Sequence, residues 1–184
     1  GTAAFMDVVL PKGAVFKATS DADIYRPLWI SGSVVGGGTI DGNDRFIVCS
    51  RYSEVVHMEG VTITGCSANS GVVSIGWNTG AEFVSCVFTG NRATWNGAPF
   101  YTGMNMTLSS CIITGNTHGD WWPGCALSLY GSSQTVLVKD CFISGNNDPE
   151  KLSNLYSSID IKYGITNNIC SSVNIGSTKS GINM

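Results

Sequence analysis

Hydrophobic and polar positions along this chain fall into one short phrase that keeps returning. Two apolar positions alternate with variable ones, a hydroxyl side chain and a glycine follow, and asparagine usually closes the set. The phrase reads Thr39-Ile-Asp-Gly-Asn43, Val61-Thr-Ile-Thr-Gly-Cys66, Cys86-Val-Phe-Thr-Gly-Asn91, Cys111-Ile-Ile-Thr-Gly-Asn116 and Cys141-Phe-Ile-Ser-Gly-Asn146. Its glycines stand at 42, 65, 90, 115 and 145, so the steps are 23, 25, 25 and 30 residues. A period in the twenties, with β-prone residues in every copy, is the mark of a solenoid.

Period-2 alternation assigns the faces within each copy. Val61 and Ile63, Cys86 and Phe88, Cys111 and Ile113, and Cys141 and Ile143 are expected to point inward. Thr64, Thr89, Thr114 and Ser144 then form an outward hydroxyl row. The glycine after each hydroxyl permits a bend that a Cβ would obstruct. Asn at 43, 91, 116 and 146, replaced once by Cys66, is placed to stack along the axis through its amide. A second strand family precedes the phrase: Val73-Ser-Ile-Gly76, Phe100-Tyr-Thr-Gly103, Ser128-Leu-Tyr-Gly131 and Ile161-Lys-Tyr-Gly164. Two strands, two bends and a variable loop per ~25 residues predict an all-β, single-stranded, right-handed parallel β-helix. Residues 1–35 read as capping strands and first coils, 36–164 as the coils proper. Residues 165–184 read as a terminal coil or the start of a further region. Asp148-Pro-Glu-Lys-Leu152 predicts a helix of one or two turns within the last clear loop.

Composition narrows the picture without changing it. In 184 residues the hydrophobic share is 43% and the charged share 12%, too apolar for disorder. The net charge is −3 and the ten basic residues are scattered singly, which argues against a nucleic-acid surface. No apolar run approaches the ~20 residues of a membrane span. No signal peptide is recognisable after Gly1, which leaves open whether the chain is mature or a fragment. Seven cysteines is an odd count, so one at least stays unpaired within the chain. Cys86, Cys111 and Cys141 share the place that Val61 holds one copy earlier, which favours a ladder of thiols packed as small hydrophobes. Cys49, Cys66, Cys125 and Cys170 stay open to pairing, and the redox compartment with them.

Gly37-Gly-Thr-Ile-Asp-Gly-Asn43 resembles the entry strand of the pectate-lyase-like β-helix superfamily, which includes polygalacturonases, bacterial surface proteins and phage tailspikes. Phe88-Thr-Gly-Asn91 followed by Asn96-Gly97-Ala98 also resembles the repeats of polymorphic-membrane-protein-type adhesins. The likeness covers roughly residues 30–146. It implies a cell-surface, virion-surface or otherwise extracellular protein, and a homotrimer if the kinship lies with tailspikes.

Enzymes that resemble this fold carry Asn-x-Asp and Asp-Asp strings, a His and an Arg-x-Lys; here Asp-Asp and Arg-x-Lys are absent and Asn-x-Asp occurs once, as Asn146-Asn-Asp148. Asp41 has no carboxylate at the same place in later copies, and Arg45, Arg51 and Arg92 converge on no acids. No catalytic residue, cofactor or metal site is therefore assigned. The stronger signal lies after each asparagine, where Trp95 and Asn96, then His118, Asp120, Trp121 and Trp122, fall on neighbouring coils. Tryptophan flanked by Asn, Asp and Thr is the composition of a sugar-stacking platform. The same residues also suit core cover or a subunit contact. Asn105-Met-Thr107 matches an N-glycosylation acceptor. The expectation is a recognition or adhesion module for a polysaccharide or cell-surface glycan, with a polysaccharide lyase or hydrolase and a structural spacer as alternatives.

Overall fold

The computed structural model describes residues 4–19, 27–49, 55–76, 79–96, 99–102, 104–118, 127–129, 135–146, 155–157, 162–166, 169–170 and 181–182. For 4–5, 95–96, 101, 118, 128–129 and the strands from 155 onward the description is of the backbone alone. Residues 148–152, where a short helix is expected, lie outside it.

Strands as short as three residues hold together here because each pairs, in parallel, with the same segment of the coils before and after it. Three long sheets result, with seven, eight and seven strands among the described residues. Sheet I stacks Leu28–Ile30, Ile47–Cys49, Val73–Ile75, Phe100–Thr102 and Leu127–Leu129. Sheet II stacks Ser33–Val35, Val55–Glu59, Gly80–Val84, Met106–Ser109 and Thr135–Lys139. Sheet III holds the repeated phrase as Thr39–Asp41, Thr62–Thr64, Val87–Thr89, Ile112–Thr114 and Phe142–Ser144. A short sheet IV joins Ser67–Ser70, Arg92–Asn96 and Thr117–His118. The chain is a parallel β-solenoid. Residues 4–17 already supply one strand to each long sheet.

Each coil therefore has three or four strands rather than two. The sheet II strands are absent from the two-strand expectation because the bend that separates them from sheet III is not always marked by glycine. Gly60 fills it once, but Ser85, Ser110 and Asp140 fill it later, with φ of 52°, 55° and 54°. Short polar side chains tolerate this left-handed region better than others. The expected copy Ile161-Lys-Tyr-Gly164 does not join the second strand family: Lys162–Thr166 pairs with Thr135–Lys139 in sheet II, while Leu155–Ser157 continues sheet I.

The inward set is as the alternation predicts. Val61, Ile63, Cys86, Phe88, Cys111, Ile113, Cys141 and Ile143 are all buried. At the centre the rings of Phe83, Phe88 and Phe100 meet at centroid distances of 4.7 to 5.4 Å, within the range of favourable aromatic pairs. Thr64, Thr89, Thr114 and Ser144 form the outer row, half-buried. Gly65, Gly90, Gly115 and Gly145 have φ between 62° and 65°, the left-handed region that favours glycine.

Asn91, Asn116 and Asn146 are buried and form a continuous ladder. The Asn116 Oδ1 accepts the Asn91 backbone N–H at 3.1 Å and the Asn91 Nδ2 at 2.9 Å. Asn146 Oδ1 accepts the same pair from Asn116 at 3.1 and 2.8 Å. Asn43 is not a member. In that coil Asn43 and Asp44 adopt φ of 46° and 67°, and the chain reaches the ladder's place two residues later, at Arg45. Ser67 N–H bonds to Arg45 O just as Arg92 N–H bonds to Cys66 O and Thr117 N–H to Asn91 O. Arg45 is 3% exposed and gives its Nε and Nη2 to the Thr19 carbonyl, at 3.1 and 2.6 Å.

Cys49, Cys66, Cys86, Cys111 and Cys141 are buried thiols. The thiol ladder stands, since in-register side chains point the same way and the Sγ atoms turn to nearby carbonyls: Cys86 to Met58 O and Cys111 to Phe83 O. Burial pushes the Cys49 and Cys66 thiols up to about 12.

Candidate functional site

Beyond the ladder the chain leaves the repeat and becomes polar: Ser-Ala-Asn-Ser at 67–70, Arg-Ala-Thr-Trp-Asn at 92–96. Composition alone reads these as loops. They are strands of sheet IV because the coil before or after supplies their hydrogen-bond partners. Gly71, at φ 54°, then turns the chain into sheet I, where Val72 and Val73 are buried and Ser74 faces out.

The corner between sheets IV and I holds a groove of about 640 Å³, lined by Asp44, Phe46, Ser67, Ala68, Asn69, Ser70, Ser74 and Thr94. Three successive coils contribute. Phe46 comes from the segment entering Ile47–Cys49, residues 67–70 from sheet IV, and Thr94 from the next sheet IV strand. Asp44 and Asn69 are exposed and the other lining residues are half-buried. The Thr94 hydroxyl donates to Asn69 Oδ1 at 3.2 Å, which fixes the Asn69 amide. The wall is thus hydroxyls and an amide, with one aromatic ring, one methyl group and one carboxylate. Such a surface hydrogen-bonds a ligand rich in hydroxyls and covers its apolar face with the ring.

Of the residues singled out by sequence, Trp95, Asn96 and His118 have a described backbone. Trp95 and Asn96 belong to the strand Arg92–Asn96, and Asn96 is in register with the lining residue Ser70. Between Ala68↔Ala93 and Ser70↔Asn96 the register shifts, so Thr94 and Trp95 together oppose Asn69. This is a β-bulge, a device that re-aims side chains at sheet edges and sites. His118 ends the next strand, one residue after Thr117, and its backbone is in register with Ala93. Asp120, Trp121 and Trp122 lie outside the described residues. Sequence reasoning missed Phe46, Asn69 and Ser70. The available signal was positional: 67–70 follows Cys66 as 92–96 follows Asn91.

A second polar cluster lies on the outer face of sheet II. His57 Nδ1 is 3.1 Å from Glu82 Oε2 on the next coil, and His57 Nε2 is 3.4 Å from Glu59 Oε2. The two carboxylates occupy the two nitrogens of one ring, on a sheet face away from the groove. Among the described residues no group of three His, Cys, Asp or Glu side chains is arranged to hold a metal ion. No helix among them is long and apolar enough to cross a membrane.

No protein-family model matches this chain, and no curated protein or solved structure matches it either.

Proposed function

We propose that this solenoid is an extracellular recognition module that binds a glycan in the groove between sheets IV and I. The observation that carries the reading is the lining itself: Ser67, Asn69, Ser70, Ser74 and Thr94 beside the ring of Phe46. A saccharide offers equatorial hydroxyls to such a rim and its C–H face to such a ring. Parallel coils lie ~4.8 Å apart, close to the length of one pyranose, so a chain running along the axis spans the three coils that line the groove. The bulge at Thr94–Trp95 brings the backbone of the first predicted platform residue to the same wall. Membership of the pectate-lyase-like superfamily, with its surface proteins and tailspikes, is part of this proposal and rests on the resemblance at residues 37–43 and 88–91.

A glycan array tests the reading. Wild-type protein is expected to retain a subset of oligosaccharides, and Phe46→Ala and Asn69→Ala are expected to lose them while keeping the wild-type unfolding temperature. Loss on Trp95→Ala would extend the site along the bulge. An array with no signal above background, or one indifferent to both groove substitutions, removes the proposal.

A further inference from the structure

The outer face of sheet I adjoins the groove and carries a second ring. Within Leu28–Ile30, Leu28 and Ile30 are buried at 1% and 0%, so Trp29 between them faces outward, 39% exposed. Trp29 is in register with Val48, and Val48 with the lining residue Ser74. Phe46, half-buried and part of the groove lining, lies two residues before Val48. The Leu28 N–H bonds to the Phe46 carbonyl at 2.8 Å, which sets the segment carrying Phe46 directly against the start of the Trp29 strand. Trp29 therefore lies diagonally across from Phe46 on the adjacent parallel segment.

We infer that Trp29 is a second stacking subsite for an uncharged oligosaccharide that leaves the groove over Phe46 and continues onto sheet I. The inference rests on the glycan reading of the groove and goes further, to chain length and charge class. Trp29, Val48 and Ser74 present no charge, and among the described residues the groove wall has the Asp44 carboxylate and no cation. A uronate chain would meet that carboxylate unneutralised; an uncharged chain would not. The exposed Arg92, in register with Ser67, is not part of the lining.

The test is calorimetric titration of the full chain with the disaccharide and hexasaccharide of the cello-, manno- and galacto- series, and with a galacturonate hexasaccharide. For the series that binds, the hexasaccharide is expected to bind roughly three- to tenfold tighter than the disaccharide, the range one stacked ring provides. Trp29→Ala should erase that gain and leave the disaccharide affinity unchanged, Trp29→Phe should restore part of it, and Phe46→Ala should weaken both lengths. A length gain that survives Trp29→Ala, or tighter binding of the galacturonate, overturns the inference while the groove reading stands. If no series binds the wild type, the groove reading fails and this one with it. If Trp29 instead seats a second copy, Trp29→Ala lowers the sedimentation mass, and that too overturns the subsite.

Discussion

Replacing Asn116 by alanine tests the buried ladder at its centre. The Asn116 side chain is 0% exposed. Its Oδ1 serves two donors of Asn91, and its Nδ2 donates its two protons to Phe88 O at 2.9 Å and Asn146 Oδ1 at 2.8 Å, with Thr114 O at 3.3 Å sharing one of them. Alanine strands the Asn91 backbone N–H inside the solenoid, because Asn116 Oδ1 is the acceptor it uses. The Asn91 Nδ2 keeps Ile63 O at 3.0 Å, and Asn146 Oδ1 keeps the Asn116 backbone N–H. One buried orphan donor costs about 1–3 kcal/mol, and each further bond lost about 1 kcal/mol. The sum is roughly 4–6 kcal/mol, a large part of the ~5–15 kcal/mol that holds a typical domain folded. At ~2–4 °C per kcal/mol for a chain of this size, the unfolding temperature should fall by roughly 8–24 °C. Urea unfolding of wild type, Asn116→Ala and Thr114→Ala gives the measurement. Thr114 is on the same coil but half-buried on the outer row, so its loss should cost far less. Because Asn91 and Asn116 share bonds, the double alanine variant should lose less than the two single losses added. An Asn116→Ala variant within about 1 kcal/mol of wild type would show that the ladder is a geometric coincidence of stacking and not a source of stability.

Two further outcomes follow from the same coils. Burial raises the Cys49 and Cys66 thiols from 9.0 to about 12, so the unfolded chain loses these protons first. Their contribution is intact below pH ~9 and is lost as pH rises towards 12, at about 1.4 kcal/mol per thiol per pH unit. Cys49→Ala should flatten the alkaline fall in unfolding midpoint relative to wild type, and parallel curves for the two proteins would contradict the assignment. Gly90→Ala should cost roughly 1–2 kcal/mol, because φ is +65° and the new Cβ would stand 3.1 Å from the Thr64 hydroxyl. Thermal unfolding checks it, and an unchanged midpoint would mean the bend relaxes.

The sequence by itself determined the parallel solenoid, the inward set from Val61 to Ile143, the thiol ladder and, for three of the four asparagines it aligned, the stacking. Each of these recurs once per coil, and a residue that must match its counterpart one coil away leaves that match in the sequence. Tertiary structure alone decided what does not repeat. Arg45 takes the ladder place of Asn43 because two left-handed residues lengthen that coil. Ser85, Ser110 and Asp140 bend the chain without glycine, so the sheet II strands had no visible boundary. Ser67–Ser70 is a strand only because Arg92–Asn96 pairs with it. The groove likewise joins Phe46, Asn69 and Thr94 from three coils, and no spacing in the chain announces that a turn at Gly71 will set them around one space. Local pattern records what each coil shares with the next; a recognition surface is built from how the coils differ.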